Sequence, residues 1–182
     1  MLKQSFLPDE LQRCHLGIWG QHFILTSSFF AIPLILKSAQ IQMSYFYFSL
    51  MALSFVLMMP SIGLAERHHK REILFKFCLF AILVSQILML LIPHTLALLW
   101  LVLFIYFMGF NILEALFPSM IAKAVNPTLK GTATGIYSSM QFLGIFCGGS
   151  LSGVIYHYYG TSGIFSLNAG LCLLYLLRFR KS

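Results

Sequence analysis

"FIYFMGFNILEALFPSM", residues 104–120, holds one carboxylate, Glu114, inside an otherwise apolar and aromatic run. Asn111 stands three residues before it and Pro118 four after it, so all three fall on neighbouring turns of a helix. The solvent around this run decides how the chain folds. In water a helix of this kind would need a covering core on every side; in lipid only its single charge needs a partner.

Composition decides for lipid. The chain of 182 residues is 59% hydrophobic and 9% charged, with 18 phenylalanines and a mean hydropathy of +0.85. Soluble domains carry about 25% charged residues. Too little polar surface exists here to cover a water-soluble globule, so the chain reads as a single all-α, six-helix transmembrane domain over residues 1–182. The spans fall at about 16–36, 43–64, 73–92, 96–121, 132–156 and 162–177, each near the ~20 residues that cross the hydrocarbon core. The N-terminal "MLKQSFLPDELQRCH" lacks the short apolar core and small-residue cleavage site of a signal peptide, so the first span is expected to stay with the chain.

Charge orients the spans. With six spans, eleven of the twelve lysines and arginines fall on the side that holds both termini and the loops after spans two and four. Lys37 alone lies on the other side. This asymmetry places both termini in the cytoplasm. The net charge of +7 then reflects bases that flank spans and face anionic headgroups, and calls for no nucleic acid. The carboxylates Asp9, Glu10, Glu66 and Glu72 fall on the same side, which leaves Glu114 as the acidic residue inside a span.

A charge in hydrocarbon costs at least ~2.5 kcal/mol, so Glu114 is expected to face the bundle interior or a watery cavity. It lies 18 residues after Leu96, about 27 Å along the helix and in the cytoplasmic half. Pro118, one turn on, frees the carbonyl of residue 114 and permits a kink. Two roles stay open for Glu114: proton or substrate coupling, or a gate or structural pair with a cytoplasmic base such as Arg67 or with an Arg from outside these six spans. Span one adds Gln21, His22, Thr26 and Ser27. His22 is a second coupling candidate, since an imidazole titrates near neutrality, or else a satisfied interior histidine.

Two further stretches carry information. "PSIGLAERHHKRE", residues 60–72, places Gly63 at the end of span two, followed by Glu66, Arg67, Lys70 and Arg71. The glycine would allow a tight exit and close helix contact. His68 and His69 have no third ligand at useful spacing, so no metal site is expected. "GTATGIYSSMQFLGIFCGGSLSGVIYHYYG", residues 131–160, spaces Gly144 and Gly148, and Gly149 and Gly153, four apart, as in helices that approach closely in lipid. Tyr137 and Gln141 share the side of Gly144 and Gly148 and could line a cavity. Cys14, Cys78, Cys147 and Cys172 form no ligand pattern. No phosphate-binding Gly-rich loop, histidine cluster or nucleophile–base set is present, so neither an enzyme nor a cofactor is expected.

These residues carry a resemblance. "GLAERHHKR", residues 63–71, resembles the glycine–acid–arginine–basic loop of the major facilitator superfamily, in its second-half copy. "GFNILEALFPSMIAKAVNPTLKGTATGIYSSMQFLG", residues 109–144, resembles the tenth helix, loop and eleventh helix of bacterial drug-efflux-type members. The resemblance implies the C-terminal half of such a transporter, spans one to six matching helices seven to twelve. It implies that spans one and four line the cavity, two and five meet the other half, and three and six face lipid. Span six, read as nearly featureless, suits lipid, and Gln86 in span three is expected to be satisfied by a neighbour. The implied activity is proton-coupled antiport, the efflux of a small amphipathic solute across a bacterial inner membrane. The partner would be a first-half chain or a second copy of this one. A remnant of a disrupted gene without activity, and a structural six-helix membrane protein, are the alternatives.

Overall fold

The computed structural model describes residues 9–67, 70–91 and 95–179. His68, His69 and His94 lie outside the described residues, as does the side chain of Glu66. The fold is all helix among the described residues: α1 Asp9–Ser38, α2 Met43–Arg67, α3 Arg71–Leu91, α4 Leu96–Ala124 and α5 Lys130–Phe179, with one short 3-10 turn at Pro127–Leu129. All five α-helices are long and apolar enough to cross a membrane. Helices are the form in which such a chain satisfies its backbone N–H and C=O groups without water.

α5 is too long for one straight crossing. Its 50 residues would run about 75 Å, against a hydrocarbon core of about 30 Å. It breaks at Gly160, with φ 64° and ψ −162°. That positive φ suits glycine, which has no Cβ to clash. The contacts with α1 show that the chain reverses there. Gly144 and Gly148, in the arm 130–159, meet Trp19 and Phe23 in ascending order. Asn168 and Tyr175, in the arm 161–179, meet Ser27 and Leu16 in descending order. The two arms therefore pass α1 in opposite directions.

α1 is the hub, packed against both arms of α5 and against α4; α3 lies on α4 and α5, and α2 leans mainly on α4. Tyr106, Phe107, Phe117 and Phe165 are fully buried at the centre. Lipid tails are as apolar as these side chains, so close packing and interhelical hydrogen bonds hold the bundle together. The apolar residues left outermost include Phe48, Val56 and Met59 of α2 and Phe142, Phe146 and Tyr158 of α5.

Several expectations need correction. The packing stripe on α5 is Gly144, Gly148 and then Ser152, not Gly149 and Gly153. A Cβ on Gly144 would strike the Trp19 carbonyl, and one on Gly148 would come within 2.5 Å of the Phe23 carbonyl. A Cβ on Gly153 would meet nothing within 4 Å, and one on Gly149 only the Thr26 methyl at 3.5 Å. The reason is angular. Four-residue steps from Gly144 lead to Gly148 and Ser152, whereas Gly149 and Gly153 are turned about 100° away. Ser152 is buried and its hydroxyl donates to the Gly148 carbonyl at 2.5 Å. Gly63 neither ends α2 nor packs: the helix runs on to Arg67, and no atom lies within 4 Å of its Cβ position.

The sixth span is not featureless. Asn168 is fully buried and joins three helical segments. Ser27 Oγ donates to Asn168 Oδ1 at 2.7 Å, and Asn168 Nδ2 donates to Ser28 Oγ at 3.3 Å and to Gln86 Oε1 at 3.0 Å. Gln86 thus has its neighbour, on the arm 161–179.

Candidate functional site

Four side chains from α1 and α5 converge on Glu114 of α4. Gln21 and His22 are adjacent on α1, and Tyr137 and Gln141 lie one turn apart on α5. Gly144 makes the convergence possible. With no side chain there, the arm 130–159 approaches the α1 backbone at Trp19, and Gln141, nearly one turn earlier, comes within reach of His22.

The carboxylate is surrounded by donors. The Tyr137 hydroxyl donates to Oε1 at 3.3 Å, and Gln141 Nε2 donates to the same oxygen at 3.4 Å. Gln21 Nε2 donates to Oε2 at 3.5 Å and more closely to the Phe110 carbonyl at 2.9 Å. His22 Nε2 lies 3.6 Å from Oε2. Both carboxylate oxygens thus accept from N–H or O–H groups of neighbouring helices. Gln21, His22 and Tyr137 are buried, while the Glu114 side chain is 35% exposed, so the site is open on one side. A carboxylate, an imidazole and two amides at such separations form a continuous hydrogen-bonding cluster.

The orientation of His22 is set by its own helix. Its Nδ1 lies 3.1 Å from the Ile18 carbonyl, one turn back, and must donate to it. Nε2 is then the nitrogen that faces the site, 2.8 Å from Gln141 Nε2.

Asn111 is not part of this cluster. Its Nδ2 donates to Ser54 Oγ of α2 at 2.8 Å, a buried pair that ties α4 to α2. Arg67 is not a partner of Glu114 either. α2 meets α4 on the side of Asn111, whereas Glu114 looks toward α1 and α5, and Arg67 is exposed at the end of α2. Lys70 is exposed too.

Asn168 was missed by sequence reading, though it left a signal. A lone Asn in the apolar run "IFSLNAGLCLLYLL" costs enough in lipid that it must find partners. Its Ser27, Ser28 and Gln86 network is buried in the bundle, apart from the half-open Glu114 site.

Comparison with known proteins identifies the family of the chain. The family model described as the Major Facilitator Superfamily matches residues 14–182. The chain is similar to the inner membrane transport protein YajR of Escherichia coli (strain K12), 34% identical over 97% of this chain and 40% of that protein. It is also similar to an "uncharacterized transporter" of Buchnera aphidicola subsp. Schizaphis graminum, 33% identical over 91% of this chain and 43% of the relative. A second Buchnera transporter, BU466 from the Acyrthosiphon pisum strain, is 31% identical over 75% of this chain and 36% of its own length. The chain thus spans well under half the length of these curated relatives.

Proposed function

Since the chain belongs to the Major Facilitator Superfamily, a family of membrane transporters and not of enzymes, we propose that it forms the second six-span half of a proton-coupled exporter of small amphipathic solutes. α5 crosses the membrane twice, once with each arm, which makes six crossings and leaves both termini in the cytoplasm of a bacterial inner membrane. The reversal at Gly160 and the one-sided distribution of lysine and arginine support this topology.

The observation that carries the reading is the convergence of Gln21, His22, Tyr137 and Gln141 on a partly open Glu114. A purely structural carboxylate in lipid would be expected to be closed off entirely by its partners. This one keeps about a third of its side chain exposed, at 35%. Proton exchange at Glu114 and His22 would alternate with solute binding on the cavity side of α1 and α4. The exposed apolar faces of α2 and of the arm 130–159 fit a complementary six-span unit, on the same polypeptide or on another.

Reconstitution tests the proposal. Proteoliposomes that hold this unit with a complementary first half should move an amphipathic dye, used as the probe solute, in response to an imposed pH gradient. Dye movement that ignores the gradient would remove the coupling. Absence of any movement across a panel of apolar, cationic and zwitterionic probes would remove the transport reading.

A further inference from the structure

The polar atoms around His22 cannot all keep their places when it takes up a proton. With Nδ1–H committed to the Ile18 carbonyl, neutral His22 offers a lone pair at Nε2. Gln141 Nε2 donates into it at 2.8 Å, and its second N–H reaches Glu114 Oε1 at 3.4 Å. One amide group of α5 thus bridges the imidazole of α1 and the carboxylate of α4. With Glu114 ionised, reversing the amide would set its carbonyl oxygen against the carboxylate.

A proton from water on Nε2 changes this arithmetic. Nε2–H is a donor and meets the Gln141 amide donor head on, while Glu114 Oε2 stands 3.6 Å away as the available acceptor. Turning the Gln141 carbonyl toward Nε2–H would set that oxygen against Glu114 Oε1. Gln21 of α1 also borders the pair: its Nε2 donates to Glu114 Oε2 at 3.5 Å, and its buried Oε1 has no hydrogen-bond partner among the described residues. α1 contributes the Ile18 carbonyl, already used; α4 contributes Glu114 and the Phe110 ring, with centroids 5.7 Å apart; α5 contributes Gln141, with Tyr137 held on Glu114 Oε1. Among the described residues no titratable group of α2 or α3 contacts His22.

We infer that Gln141 is a positioning residue whose amide ties α5 to α1 when His22 is neutral and is displaced when His22 is protonated, so that the proton exchanges an α1–α5 contact for an α1–α4 ion pair. The inference deepens the coupling reading above and rests on it for its consequence in transport. The displaced contact lies within one turn of Gly144, where the arm 130–159 is closest to α1. The change therefore falls at the seam where those two helices pack most closely. When pH rises the proton returns to water and the amide bridge reforms.

Nuclear magnetic resonance of the full chain in lipid nanodiscs tests this without any transport assay. The His22 ring nitrogens and the Gln141 side-chain amide would be followed against pH. Nε2 should titrate while Nδ1 stays protonated throughout. The Gln141 amide should shift in one step with the same midpoint, and its hydrogen-bond coupling to His22 Nε2 should be present above that midpoint and lost below it. In H22Q the step at Gln141 should vanish; in Q141N, one methylene too short to bridge, His22 should still titrate. A Gln141 amide that stays flat through the His22 titration, a step that persists in H22Q, or titration at Nδ1 would overturn the inference. The wild-type coupling measurement stands whether or not either variant folds. A normal amide step without proton-driven flux would strike the coupling reading alone, and flux with a flat amide would strike this inference alone.

Discussion

Asn111 and Glu114 stand three residues apart on α4, yet their side chains serve different neighbours: Asn111 donates to Ser54 of α2 at 2.8 Å, while Glu114 receives Gln21 of α1 and Tyr137 and Gln141 of α5. One helix thus carries a closed structural pair and a half-open titratable site within a single turn. The two are separable by mutation.

Asn111→Ala should weaken the bundle and leave pH dependence alone. Interhelical hydrogen bonds in lipid average ~0.6 kcal/mol and reach ~1.7. A double-mutant cycle with Ser54→Ala, read as thermostability in detergent, should give a coupling energy in that range. Additive losses from the two single variants would mean that the pair contributes nothing.

Glu114→Gln should act the other way. Gln keeps the shape and cannot titrate, so pH-driven flux in a complete assembly should fall by about a hundredfold or more, on the scale at which acid–base groups contribute. Thermostability should stay near wild type. If stability falls instead and residual flux keeps its pH profile, Glu114 is a structural pair; if neither changes, it has neither role.

The glycines of α5 should divide sharply. Gly148→Leu forces side-chain atoms onto the Phe23 backbone, which cannot move aside as a flexible side chain would, and should cost at least ~1–3 kcal/mol. Gly153→Leu adds a side chain in open space and should stay within ~0.5 kcal/mol. Equal losses of folded protein for both variants, compared by size-exclusion chromatography after membrane extraction, would contradict the stripe of Gly144, Gly148 and Ser152.

Asn168→Leu removes one acceptor and two donor contacts at once and leaves Gln86 of α3 without its partner. A cost of about 1–3 kcal/mol is expected, with the arm 161–179 the first to loosen. Hydrogen exchange of the backbone amides in that arm should rise before that of α4. Uniform exchange across both helices would mean that Asn168 does not pin the arm.

The sequence by itself determined that this is a helical membrane chain, and where its apolar runs lie. The run of 43–64 lies in α2, 73–92 corresponds to α3, and 96–121 lies in α4, with ends shifted by a few residues. Hydropathy works at this level because the cost of burying charge in lipid is a local property of about twenty consecutive residues. The resemblance in residues 63–71 and 109–144 pointed to the transporter family for a similar reason: loop and helix motifs are contiguous. The polar residues of the site were legible one by one, since a Glu, a His or a Gln in an apolar run announces itself.

Their grouping was decided only by the tertiary structure. Gln21 and Glu114 are 93 positions apart, His22 and Gln141 119, and Ser27 and Asn168 141. Which of them meet depends on the rotation of each helix about its axis and on how closely the backbones approach. Gly144 and Gly148 set that approach for the arm 130–159, by contact with a part of α1 that no local pattern identifies. The same geometry turned Asn111 toward α2, left Arg67 away from Glu114, faced Gly153 outward and put Asn168 at the centre. A helix brings a different face round at every residue, and a rotation of about 100° separates a packing glycine from an exposed one.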